Sequence, residues 1–181
     1  MMESFQIMTW PGYLTMFGDM GTYVFQRLDD MFVFFRDNDR KNRISLSYWH
    51  EKLDAVDVNS SSKEFSIDKF RKLIKEHVEE CTDIDNYDDL EQDKKEDIEP
   101  LLEAEDEWSA VMAVRDFDAP WINFYDFWEN NCKEYTWHYV FACYAIVWAI
   151  EQYDKAKANN EECIVGSSES GKAVQANVRL I

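Results

Sequence analysis

The chain has 181 residues, enough for one substantial domain or a domain with an arm. Hydrophobic residues make up 46% and aromatics 15%, which excludes a wholly disordered acidic protein and requires a core. A formal charge of −18, from 37 Asp and Glu against 19 Lys and Arg, disfavours direct binding to nucleic acid or to anionic membrane, since both need cations.

The N-terminal third reads as strands. Residues 5–10 are apolar-rich, Pro11-Gly12 is a turn dipeptide, and residues 13–17 are a second β-prone run. Gly18-Asp19-Met20-Gly21 forms a further turn before a third strand over residues 22–28, giving an antiparallel meander. Asp29 and Asp30 can cap a short helix over residues 31–36, although its run of apolar residues also suits a strand. Residues 37–43 read as a solvated basic loop, with Arg40, Lys41 and Arg43 beside Arg36.

From Ser45 a helical period begins, with Leu46, Trp49, Leu53 and Val56 at i, i+3, i+7 and i+10, and residues 59–62 follow as a linker. Ser66 precedes a second amphipathic run, Ile67, Phe70, Leu73, Ile74 and His77, as half of a capping box, because Lys69 stands where Glu or Gln would complete it. Lys63, Lys69, Arg71, Lys72 and Lys75 make this helix basic, a source of internal neutralisation for the acidic residues that follow. Residues 81–93 carry few core formers and read as a loop or frayed turn. Pro100 suits the first turn of a helix that buries Leu101, Ala104, Trp108, Val111 and Met112. Glu99, Glu103, Asp106 and Glu107 would then stand outward as a ladder. Ala119-Pro120-Trp121 marks a break, residues 122–128 a short aromatic helix, and residues 133–157 a long helix apolar nearly all round its middle, suited to packing on both sides. Small polar residues after 159 suggest a mobile or loosely docked tail.

These elements add up to an α+β fold, a small N-terminal meander packed against a bundle of about five helices. It is read as one domain over residues 1–158 with a tail over 159–181. The opening Met-Met-Glu-Ser-Phe has no basic region leading into an apolar run, so no signal peptide is expected. The longest apolar run, residues 139–150, is too short to span a bilayer. Cys81, Cys132, Cys143 and Cys163 have no metal or redox spacing and are expected as reduced structural thiols, with Cys132 and Cys143 three helical turns apart on one buried face.

Fifteen of the 29 residues from Glu79 to Glu107 are acidic and only Lys94 and Lys95 oppose them, so this segment holds −13 of the charge. An EF-hand starting at Asp83 fails: Tyr87 is fifth, Asp88 sits where the turn needs Gly, and Lys94 replaces the bidentate Glu. Starting at Asp85 puts Glu96 at the twelfth position but Leu90 at the sixth. His50, His77 and His138 are scattered and read as structural. Gly18–Gly21 lacks the Lys-Ser/Thr ending of a phosphate loop. No carboxylate pair stands out for acid–base work, so neither catalysis nor a cofactor is expected.

Trp10-Pro11-Gly12-Tyr13-Leu14-Thr15, Gly18-Asp19-Met20-Gly21-Thr22-Tyr23-Val24-Phe25-Gln26-Arg27 and Asp30-Met31-Phe32-Val33-Phe34-Phe35-Arg36 resemble a family of small bacteriophage and prophage proteins of undefined role. Tyr144-Ala145-Ile146-Val147-Trp148-Ala149-Ile150 with Tyr153 is similar to that family's C-terminal portion. The resemblance spans about a third of the chain and leaves the acidic block uncovered. It implies a phage origin and action in the bacterial cytoplasm, and it brings no catalytic residues.

The acidic block therefore carries the functional expectation: a decoy for the phosphate backbone, offered to a basic host protein that handles nucleic acid, such as a defence nuclease or CRISPR-type effector. The expected contacts are Glu79, Glu80, Asp83, Asp85, Asp88, Asp89, Glu91, Asp93, Asp97, Glu103, Asp106 and Glu107, with Tyr87, Leu90 and Trp108 as apolar anchors at the edge. Two other readings stand beside it: a solvated surface with no partner, and a regulatory or morphogenetic phage protein that oligomerises, for example as a homodimer, through aromatic surface.

Overall fold

The computed structural model describes residues 4–36, 44–161 and 176–179. In chain order these form β1 (Ser4–Trp10), β2 (Tyr13–Gly18), β3 (Gly21–Gln26), α1 (Met31–Arg36), α2 (Leu46–His50) and β4 (Leu53–Val56). Then come β5 (Lys63–Phe65), α3 (Ile67–Thr82), α4 (Gln92–Leu102), α5 (Glu107–Asp116), β6 (Lys133–Tyr135), α6 (Trp137–Glu161) and β7 (Ala176–Arg179). The fold is α+β, with its antiparallel sheet at the N-terminus. Where the sequence reads one domain over residues 1–158, contacts divide the chain into two compact units, Met1–Ser62 with Tyr135–Ile181, and Lys63–Glu134.

In the first unit the sheet order is β4-β3-β2-β1-β7, every neighbour antiparallel. The turn between β1 and β2 has Pro11 followed by Gly12 at φ 87, the left-handed position that a type II turn reserves for glycine. Phe5, Ile7, Leu14, Met16, Tyr23 and Phe25 alternate onto one face and are buried. Tyr139, Ala142, Cys143, Ile146, Ala149 and Ile150 of α6 join them in one core, spaced three and four apart as one helical face. Met31, Phe34 and Phe35 of α1 and Trp49 of α2 complete it, with Phe35 edge-on to both Phe25 and Trp49. Packing of α6 on both sides is not what is found: Trp137 and Tyr144 stay exposed.

The second unit is built on α3. Ser66 caps it as expected, accepting from the Lys69 backbone N–H at 3.2 Å. Phe70, Ile74 and Val78 recur every four residues and are buried with Ile98 and Leu101 of α4, Ala110 and Val114 of α5, and Ile122, Phe124 and Phe127. Arg71 donates to the carbonyls of Leu102 and Ala104 at 2.8 and 2.9 Å, satisfying acceptors that the end of α4 leaves open.

Several local expectations are corrected. The helix read through Leu46, Trp49, Leu53 and Val56 stops at His50, and Leu53–Val56 becomes β4. Edge pairing with Tyr23–Phe25 of β3 supplies ladder bonds that a one-sided helix would not need. Residues 81–93 are not all loop: α3 reaches Thr82, Tyr87–Asp89 is a 3-10 turn, and α4 starts at Gln92. Pro100 lies inside α4 rather than opening a helix, on an exposed side where water can solvate the carbonyl one turn back. Residues 122–128 are not a helix: an isolated bridge joins Ala119 to Ile122, and a 3-10 turn covers Phe127–Glu129. The long helix begins at Trp137, because residues 133–135 pair with β5. Cys132 and Cys143 are both buried but share no helix face. Of the tail, Ala176–Arg179 pairs with β1, while Cys163 and the basic loop at 37–43 lie outside the described residues.

Candidate partner-binding surface

The unit Lys63–Glu134 carries 23 Asp and Glu against nine Lys and Arg, so about −14 of the −18 sits in its 72 residues. The fifteen acids from Glu79 to Glu107 are distributed over five places in this unit: the last turns of α3, the connection to α4, the body of α4, the connection to α5, and the start of α5. They do not form one ladder. Glu99 lies in α4, Glu103 caps its C-terminus, Asp106 caps the N-terminus of α5 and Glu107 is its first residue, so a helix break divides the four.

Some of the expected contact carboxylates have structural work inside the unit. Glu79 accepts from the Tyr87 backbone N–H at 2.7 Å and ties the end of α3 to the 3-10 turn. Asp106 accepts from Ser109 N–H at 2.7 Å while the Ser109 hydroxyl accepts from the Asp106 N–H at 3.0 Å, a reciprocal capping box. Those bonds hold the Asp106 carboxyl below the ordinary carboxylate value, the Ser109 backbone N–H first among the causes. Asp97 accepts from the Trp121 indole N–H at 2.8 Å. Glu91 pairs with Lys94 at 2.8 Å, which raises the Lys94 ammonium above its usual value. Glu107 reaches Lys133 only at 3.9 Å.

The rest face water. Glu80, Asp83, Asp85, Asp88, Asp89, Asp93 and Glu103 are exposed, and no described residue makes a side-chain hydrogen bond or ion pair with them. Lys95 reaches the Asp88 backbone carbonyl at 2.6 Å rather than its carboxylate. Lys72 and Arg71 spend their charge on Glu76 and Asp68 of their own helix, at 3.4 and 4.0 Å. Internal neutralisation by the basic helix therefore reaches few of the carboxylates between 80 and 93.

That placement opposes helix stability. The C-terminus of α3 carries the negative end of the helix dipole, yet its last turn holds no basic residue and ends on Glu79, Glu80 and the cap Asp83. A carboxylate there is unfavourable by a few tenths to about 1 kcal/mol. Asp83 also sits at φ 55, a left-handed position better suited to glycine. Glu79 is offset by its bond from the Tyr87 N–H, but fold stability gives no reason for Glu80 or Asp83 at this site.

The apolar anchors need correction. Tyr87 is 8% and Leu90 6% exposed, and both belong to the core of the unit. Burial pushes the Tyr87 phenol up, and Lys75 lies 5.1 Å over its ring. With acids on both sides, these two apolar residues face inward and, with the partly buried Ile84, close the core beneath the connection. Trp108 is 72% exposed on the first turn of α5, which leaves it open for contact but overturns its place on a buried helix face: α5 buries Ala110 and Val114 instead, with Val111 and Met112 only partly covered.

Sequence reasoning missed a cleft of about 410 Å³ between α5 and the following loop, lined by Val114, Arg115, Phe117, Asp118, Phe124, Tyr125 and Trp128 among others. The available signal was Asn123 and Asp126 set between the aromatics, turn formers that argue against a core helix. Nearby, His77 Nε2 lies 2.8 Å from the Asn123 carbonyl and its ring packs on Phe124, a structural role. Among the described residues no group of three or more His, Cys, Asp or Glu is placed to hold a metal ion, and no helix is long and apolar enough to cross a membrane. No family model matches the chain, and no curated protein or solved structure does so either.

Proposed function

We propose that this protein is an inhibitory binding protein whose acidic unit occupies the nucleic-acid-binding surface of a basic host partner, a defence nuclease or a CRISPR-type effector. The observation that carries the reading is the set of exposed carboxylates Glu80, Asp83, Asp85, Asp88, Asp89 and Asp93, of which Glu80 and Asp83 stand at a helix end that is better without them. A partner that binds phosphates through several Lys and Arg side chains gains counterion release from each. The carboxylates need not stand in a single ladder for this: any held open to solvent draw on the same cations. Glu79, Asp97 and Asp106 shape the unit, and the open carboxylates with Trp108 make the contacts. Phage origin rests on the resemblance of the N-terminal stretches and of the helix around Tyr144–Ile150.

The test uses charge reversal and competition together. Asp83, Asp85, Asp88 and Asp89 are changed to Lys, and binding to purified nucleic-acid-binding effectors is measured at low and high salt. The expected result is binding that salt weakens steeply, that duplex DNA displaces, and that the reversal abolishes without unfolding. Binding unchanged by the reversal removes the acidic run from the mechanism.

The oligomerising alternative draws on a specific observation: Trp137 and Tyr144 are exposed on α6 in the first unit. Self-association insensitive to salt and lost in Trp137→Ala with Tyr144→Ala would favour it.

A further inference from the structure

The cleft beside α5 bears on how a basic partner would be held. Its floor and walls include Val114, Phe117, Phe124 and the indole of Trp128. Trp128 is held in plane: it stacks on Phe70 with centroids 6.0 Å apart and rings 17° from parallel, and Phe127 meets it edge-on at 5.5 Å. Among the described residues no ring covers its other face, and the side chain is 40% exposed. Tyr125, 89% exposed, stands at the mouth. A fixed indole face with an open phenol beside it is the arrangement that attracts a cation through the ring quadrupole.

The charges in the cleft point the same way. Arg115 lines it, but its guanidinium is engaged by Asp116 through two bonds of 2.7 and 3.1 Å, so its charge is already met. Asp118 also lines it and is exposed, and no described residue makes a side-chain hydrogen bond or ion pair with it. The unit around it is strongly anionic, which repels a phosphate or carboxylate and draws a cation. An apolar ligand would gain from the rings but has no use for the carboxylate.

We propose that this cleft is an anchor pocket for an arginine or lysine side chain of a basic protein partner, with Trp128 as the π face and Asp118 as the counter-charge. The proposal rests on the reading of the partner as basic, and it adds the contact that gives specificity, since dispersed carboxylates steer encounter more than they fix register. The stem of the entering side chain would lie against Val114 and Phe117 while its head meets the indole.

The probe is a short Arg-Gly-Arg peptide, compared with the same peptide carrying citrulline, a neutral near-isostere, in two-dimensional amide and indole NMR of the full chain. The arginine peptide should move the Trp128 indole and the Asn123 amide, and the citrulline peptide should not. Trp128→Leu should weaken the arginine peptide about fivefold, as loss of one cation–π contact predicts. Asp118→Asn, at an exposed position that leaves folding intact, should weaken it about twofold at low salt, and that difference from the unsubstituted chain should shrink at high salt. Equal response to arginine and citrulline overturns the cation pocket. Shifts confined to residues 80–93 overturn the pocket while leaving the acidic surface standing. No shift anywhere at millimolar peptide overturns both.

Discussion

If the end of α3 carries its carboxylates against the interest of stability, removing one should strengthen the fold, and Asp83 is the position to test. It follows the last helical residue, its N–H bonds the Glu79 carbonyl, its φ is 55, and its side chain makes no hydrogen bond or ion pair with a described residue. Asp83→Asn removes the charge and keeps a residue that tolerates the left-handed region, so only the dipole contribution changes, about 0.5 kcal/mol. Asp83→Gly removes the charge and also the left-handed strain of about 1 to 2 kcal/mol, offset by roughly 0.5 to 1 kcal/mol from the freer unfolded chain. Its net gain is about 1 kcal/mol. With a urea slope of about 2 kcal/mol per molar, the midpoint should rise by about 0.25 M for Asn and about 0.5 M for Gly. Urea is the denaturant of choice because salt is the second variable. At 1 M salt the screening length is about 3 Å, so the Asn gain should vanish while the conformational part of the Gly gain persists. An unchanged midpoint for Asn at low salt, or a gain that survives high salt, would refute the argument that charge at this helix end opposes folding.

The corrected anchors give a second expectation: Tyr87→Ala and Leu90→Ala should each cost about 2 to 4 kcal/mol of stability in urea unfolding, as core truncations do, whereas Trp108→Ala should leave the midpoint nearly unchanged. The Asp106 cap predicts a pH dependence. Its folded-state value lies below the ordinary 3.8, so its contribution is fully present above 3.8 and is lost as pH falls through the lower folded value. Acid titration of stability should therefore show a loss below that point that Asp106→Ala lacks; parallel curves would place the proton elsewhere. Thiol labelling should separate the cysteines: Cys81 is exposed and should react at once, while Cys143, buried and pushed up to about 12, should react only on unfolding, as should Cys132. Rapid labelling of Cys143 in the native protein would contradict its burial.

Legibility in the sequence followed the range of the interaction responsible. The meander was readable because alternation, Pro11-Gly12 and the glycines at 18 and 21 act between near neighbours. Helix α1 matches the span expected from its residues, Met31 to Arg36, and α3 starts at its Ser66 cap for the same reason. Leu53–Val56 is not legible locally because its four residues satisfy a helical and an extended pattern equally, and only the open edge of β3 decides between them. Pro100 misled because acidic residues dilute the period of α4 to two buried positions, Ile98 and Leu101.

By itself the sequence determined the α+β class, the order of the strongest elements and the concentration of charge in residues 79–107, since composition and short-range pattern are properties of the chain alone. Only the tertiary structure decided which acids are engaged by partners far along the chain, such as Trp121 for Asp97 and Lys133 for Glu107, and which stand open. It alone turned Tyr87 and Leu90 inward, and it alone opened the cleft beside Trp128. Burial and concavity arise where separate segments meet, and no local pattern records that meeting.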